Sequence, residues 1–169
     1  EGLLSFKDED GTGFSNEEIQ GNIYNVLVAG EDTTAHTLSW ILYFITQHPE
    51  VQNRIQQEAD SILGDDKVPN NLEILEKLIY IEAVAYEALR LKGPVPLIFL
   101  ESNCETELDG LKIPKATLIM LIARHGALQE KNFTDALEFK PERWINGKTN
   151  DFNHNINASL PFGSGARSC

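Results

Sequence analysis

The sequence ends on a cysteine two residues after an arginine, behind a turn punctuated by two glycines: Phe162-Gly163-Ser164-Gly165-Ala166-Arg167-Ser168-Cys169. A thiolate presented from such a turn is a soft metal ligand. Glycine at 163 and 165 allows backbone angles and a close approach that side chains forbid, so a flat cofactor can lie directly on the loop. Arg167 adds a rigid fork of donors suited to a carboxylate. Taken alone, the octapeptide also fits a glycine-rich surface turn followed by an incidental cysteine.

Three further groups carry possible chemistry. Ala29-Gly30-Glu31-Asp32-Thr33-Thr34 lies within a long apolar periodic stretch, where Gly30 costs about 1 kcal/mol relative to alanine and the residues after it are poor helix formers. A glycine there admits a flat ligand to the helix surface, and a threonine hydroxyl turned onto its own backbone opens the ladder to water. The alternative is a small-residue point where another helix crosses. Glu87 and Arg90 are spaced i,i+3 and so face each other on a helix. Glu87 shares its face with Ala83, Val84 and Leu91, which points inward, and a buried carboxylate needs more than one partner. The third group is Pro141-Glu142-Arg143-Trp144. The histidines, His36, His48, His125 and His154, have no metal-ligand spacing. Of these, only His36, one turn beyond Asp32 and Thr33, is placed to extend a proton relay.

F-x-x-G-x-R-x-C, formed by Phe162, Gly165, Arg167 and Cys169, resembles the haem-binding loop of the cytochrome P450 family. The other three groups occur in that family's order, and the resemblance extends from about Ser15 to Cys169. It implies a mainly α fold with a small β component: a partial cytochrome P450 fold with a long central helix, following helices, short β-hairpins, a meander and the haem-binding loop. Residues 1–169 are expected to form a single partial domain. Only the family's C-terminal portion is matched and no methionine stands at position 1, so a piece of a longer protein is expected.

The resemblance further implies that Cys169 ligates the iron of haem b and that Phe162, Gly163, Gly165 and Arg167 form its loop, with Arg167 on a propionate. Ala29 and Gly30 would line the distal haem face, and Asp32 and Thr33 would deliver protons for dioxygen cleavage. Glu87, Arg90 and Arg143 would form a charge triad that shapes the pocket. The implied function is haem-thiolate monooxygenation of a small organic substrate by O2, with NAD(P)H electrons arriving through a ferredoxin or flavoprotein reductase. Rival readings are a haem-thiolate isomerase or peroxygenase, against which Asp32 and Thr33 argue, and a non-catalytic helical interaction fragment.

Departures from the family pattern are also visible. Where many relatives carry a propionate-binding arginine after the Pro94-Val95-Pro96 run, this sequence has Leu100 and Glu101 nearby, leaving Arg167 with help from Arg124 or His125, or residues outside this sequence. Gln129-Glu130-Lys131 replaces a His-Arg-Asp run. Trp144 stands where the family often has phenylalanine, a simple aromatic exchange.

The elements that must position these groups are legible in outline. Ser15 as N-cap, Glu18 at N3 and Phe14 stapling onto Ile19 predict a helix start, and the apolar stripe Ile19, Ile23, Leu27, Leu38, Ile41, Ile45 carries it to about Gln47. A second helix starts with Pro49 at N1, buries Val51, Ile55, Ala59 and Ile62, and stops at Gly64. A third runs from about Leu78 to Lys92. Leu97–Glu101, Leu111–Ile113 and Leu118–Ile122 read as short strands, with Asp109-Gly110 a hairpin turn between the first two. Residues 146–157 read as a long meandering loop.

Composition narrows the classes. With 169 residues, 41% hydrophobic and 24% charged, the chain can build a sizeable core. A net charge of −12 argues against nucleic acid as a partner. Two cysteines 65 residues apart form neither a disulfide framework nor a zinc knuckle, which fits a reducing compartment such as the cytoplasm. Whether a membrane anchor precedes Glu1 stays open. Cys104, in a charged turn-like stretch, reads as incidental.

Overall fold

The computed structural model describes residues 2–7, 9–145, 154–165 and 168–169. The chain divides into two compact units, Glu1–His36 and Thr37–Cys169. The first holds a short helix α1 (Gly2–Ser5) and most of α2 (Asn16–Gln47), inside which the boundary falls. The start of α2 is fixed by a reciprocal box: the Ser15 amide donates to Glu18 Oε2 at 2.8 Å and the Glu18 amide to Ser15 Oγ at 3.2 Å. Phe14, expected to staple Ile19, has its ring stacked on Phe6 at 4.8 Å. No helix among the described residues is long and apolar enough to cross a membrane.

In the second unit, α3 (Pro49–Leu63) begins with proline at N1 and ends at Gly64, as the sequence predicts. A short α4 (Leu72–Leu75) is capped by Asn71, whose Oδ1 accepts from the Ile74 amide at 2.9 Å. Next comes α5 (Ile79–Lys92), the most deeply set helix, with Ala83, Val84, Glu87, Ala88, Arg90 and Leu91 buried. Its apolar side meets Val51 of α3 and Phe139 in one core, against which Ile41, Phe44 and Ile45 of α2 pack. The Phe44 and Phe139 rings stack at 4.5 Å, nearly parallel.

Four short strands follow: β1 (Ile98–Glu101), β2 (Thr106–Leu108), β3 (Leu111–Ile113) and β4 (Leu118–Leu121). The expected hairpin partner was wrong. Asp109-Gly110 joins β3 to β2, a strand the sequence reading missed, while β1 pairs antiparallel with β4, Ile98 opposite Leu121. Three residues, Thr-Glu-Leu, are too few for a period-two signal to stand out from their charged surroundings. After β4 come α6 (Ala123–Ala127) and 3-10 turns at Pro141–Trp144 and Ile156–Ala158, also unforeseen. Of the expected meander, residues 146–153 lie outside the described residues.

Candidate functional site

Glu87 lies on the buried side of α5, and its carboxylate is fully removed from solvent. Arg90, one turn later, donates to it twice at 2.8 Å, from Nε to Oε2 and from Nη2 to Oε1. Arg143 Nε and the Lys140 amide reach Oε1 at 2.9 and 3.0 Å, and Trp144 Nε1 reaches Oε2 at 2.8 Å. Burial alone would push the Glu87 carboxyl upward, but the hydrogen bonds and charge of Arg90, together with Arg143 and the Lys140 amide, hold it below the usual glutamate value. The cluster therefore contains an ionised carboxylate with each oxygen multiply bonded.

The arginines spend their remaining donors on backbone. Arg90 donates to the carbonyls of Ala127, Ala136 and Glu138, and Arg143 to those of Thr134 and Asp135. Glu130 shapes the segment that presents these carbonyls, accepting from the Asp135 and Ala136 amides at 3.0 and 2.9 Å. The acidic residue at this departure from the family pattern thus fixes a turn. Helix α5, the 133–140 segment and the Pro141–Trp144 turn are joined through one carboxylate.

From this cluster an aromatic row leads to the cysteine turn. Trp144 stacks on Tyr86 at 5.2 Å, and Tyr86 meets the edge of Phe162 at 6.2 Å. Beside them opens a cavity of about 330 Å³ whose walls include Tyr86, Trp144, Leu160, Phe162 and Gly163. The turn closes where the Cys169 amide donates to the Phe162 carbonyl at 2.8 Å. Gly163 and Gly165 have φ of +73° and +85°, and among the described residues a Cβ on either would meet no atom within 4 Å. Their glycine identity is demanded by backbone conformation, and the space before them is open. Cys169 is exposed. A single accessible soft donor on a turn with open space suits a planar metal complex that brings its other ligands with it. Arg167 lies outside the described residues. Arg124 and His125, the suggested auxiliaries, are both exposed on α6.

Ala29, Gly30, Asp32 and Thr33 belong to the other unit, on α2. Thr33 Oγ1 donates to the Ala29 carbonyl at 2.6 Å, the backbone contact that its sequence context suggests. Among the described residues, apart from α2's own backbone, no atom lies within 4 Å of a Cβ placed on Gly30.

Two participants escaped the sequence reading. Trp144 supplies an N–H to Glu87 that phenylalanine lacks, so the exchange is more than aromatic for aromatic. Glu58 of α3 accepts from the Tyr80 and Ile81 amides at 2.7 and 2.9 Å and so caps α5 from a neighbouring helix. Distance in sequence hid both contacts.

The sequence profile described as Cytochrome P450 matches residues 2–169. The chain is 35% identical over 167 residues to cytochrome P450 4V2 of Mus musculus, covering 99% of this chain and 31% of that protein. It is 31% identical to pentalenene oxygenase of Streptomyces avermitilis, covering 99% and 36%. To the mitochondrial 1,25-dihydroxyvitamin D(3) 24-hydroxylase of Rattus norvegicus it is 35% identical, covering 92% and 29%. The chain spans about a third of the length of these relatives. With a family profile matched almost end to end, a buried Glu87–Arg90–Arg143 cluster and an exposed cysteine on its turn, the chain belongs to the cytochrome P450 family.

Proposed function

We propose that the protein containing this chain is a haem-thiolate monooxygenase that inserts one oxygen atom from O2 into a small organic substrate. The observation that carries the reading is the exposed Cys169 on a turn closed by its own amide, with two left-handed glycines in it. Cys169 would hold haem b through its sulfur, with Phe162, Gly163, Gly165 and Arg167 as the rest of its loop, and Ala29 and Gly30 are the further haem-lining residues that the resemblance implies. When bound, the haem supplies the oxidising chemistry, with the thiolate raising electron density at the iron. The chain's own residues do the rest. Glu87, Arg90 and Arg143 keep the turn-bearing segment in register with α5. Thr33, its hydroxyl held on the Ala29 carbonyl, and the neighbouring Asp32 carry protons at Oγ1 and the carboxylate. Relatives named as an oxygenase and a hydroxylase support oxygen insertion. Electrons would come from NAD(P)H through a ferredoxin or flavoprotein reductase.

The test replaces Cys169 by histidine in the full-length protein. The expected result is haem uptake without the far-red-shifted Soret band of the reduced carbon monoxide adduct, and loss of substrate oxygenation with it. Retention of both would remove Cys169 as the ligand and the reading with it.

A further inference from the structure

His154 is a half-buried titratable group that the proposed chemistry does not use. Its ring meets Trp144 edge to face at 4.8 Å and Phe133 at 5.2 Å. Phe133 is fully buried, and the Arg90 guanidinium carbon lies 5.0 Å from its ring centroid. His154 Nδ1 is shut off from solvent and, among the described residues, has no hydrogen-bond partner. Alongside, the backbones of Phe133 and His154 form an antiparallel bridge, with the Asn155 amide donating to the Asn132 carbonyl at 2.8 Å. That bridge ties the start of the segment leading to the cysteine turn to Phe133. From it the chain passes through the Ile156–Ala158 turn, whose Ala158 carbonyl would lie 2.9 Å from a Cβ on Gly126, to Leu160–Gly163.

We propose that His154 is a protonation-sensitive latch, its neutral ring holding the cysteine-bearing segment against Phe133 and Trp144 and its cationic form releasing it. The charged groups facing the ring are Arg143 from the Pro141–Trp144 turn and Glu87 and Arg90 from α5. The 132–133 segment contributes the Asn132 carbonyl and the Phe133 ring. Two arginines share one carboxylate, so the cluster already carries a net positive charge. A neutral imidazole with its proton on Nε2 leaves only a lone pair unpaired at Nδ1. Protonation converts that atom into a buried N–H with no acceptor, beside like charge. The flanking rings attract a cation, but they supply no such acceptor. Consistently, burial first and Arg143 second hold the His154 imidazole below its ordinary value, with Glu87 opposing. Because the docked form resists the proton more than the released one, docking is fully stable above the ordinary imidazole value and weakens as pH falls through it.

Hydrogen exchange at the Asn155 amide reads the bridge directly, compared at about pH 7.5 and about pH 5.5, on either side of the ordinary imidazole value near 6.5. After correction for intrinsic rates, protection should fall several-fold on acidification while the Val84 amide in α5 holds. His154→Phe keeps an aromatic ring but takes no proton, and should show equal protection at both pH values. Unchanged protection in the parent chain, or the same loss in His154→Phe, would overturn the latch. Should that variant fail to fold, the ring titration of His154 in the parent chain decides by nuclear magnetic resonance. A midpoint below the ordinary value that coincides with loss of the bridge supports the latch, and one at or above it sinks it.

Discussion

One arginine could not hold Glu87 ionised in the interior, because removing a carboxylate from water costs several kcal/mol that a single pair does not return. The cluster works by distributing donors, and the indole of Trp144 is the least expected of them. A phenylalanine at 144 would keep an aromatic ring against Tyr86 but withdraw the bond to Glu87 Oε2. Hydrogen bonds to charged groups contribute about 1.5–3 kcal/mol, and Arg90 Nε remains on the same oxygen. Trp144→Phe should therefore lower stability by about 1–2 kcal/mol, read as a fall in the urea midpoint with unchanged slope. Combined with Glu87→Gln, the loss should be clearly less than additive, since both changes act on one network. A midpoint equal to the parent's would show that the indole N–H adds nothing. The Glu87–Arg90 pair is legible in sequence because i,i+3 geometry is local, whereas Arg143 joins it only through the family resemblance. Trp144 was not legible, because an indole and a phenyl ring look interchangeable until the acceptor 57 residues earlier is placed beside it.

Among the elements, α5 starts without a cap of its own: Leu78 is at the N-cap position and makes no side-chain bond there. Glu58 supplies what is missing, placing both carboxylate oxygens on the first amides and its charge at the positive end of the helix. Glu58→Ala leaves two partly buried N–H groups open and should cost about 1–3 kcal/mol. Loss of exchange protection should concentrate in the first turn of α5. Uniform loss across the helix, or none, would rule out a capping role. This case also marks the limit of reading elements from sequence. Helices α2, α3 and α5 were legible because Ser15, Pro49, Gly64 and Gly93 sit at their ends and the apolar period is sustained between them. Thr106–Leu108, α4, α6 and the 3-10 turns were not, being too short to show a period. The β1–β4 pairing was missed because the nearest turn signal, Asp109-Gly110, belongs to a hairpin nested between those strands.

For the chain taken as a whole, two features oppose each other. Apolar side chains are widely exposed: Val26 and Leu27 on α2 at 70% and 61%, Phe99 on β1 at 61%, and Leu118 and Met120 on β4 at 70% and 52%. The β1–β4 ribbon also has unpaired edges among the described residues, a template for association. Against this stands a net charge of −12, which keeps like chains apart. Charge repulsion is screened by salt, with a Debye length of about 10 Å at 0.1 M and about 3 Å at 1 M, whereas apolar attraction is not. The isolated chain should therefore bind an apolar dye at low salt while remaining mostly monomeric, and should self-associate as salt is raised. Sedimentation velocity across a sodium chloride series, with dye fluorescence in parallel, measures both. A monomer that stays dye-silent at every salt concentration would mean that the exposed faces find partners within the chain itself. Association that weakens with salt would mean that charge pairing, not apolar contact, brings the copies together.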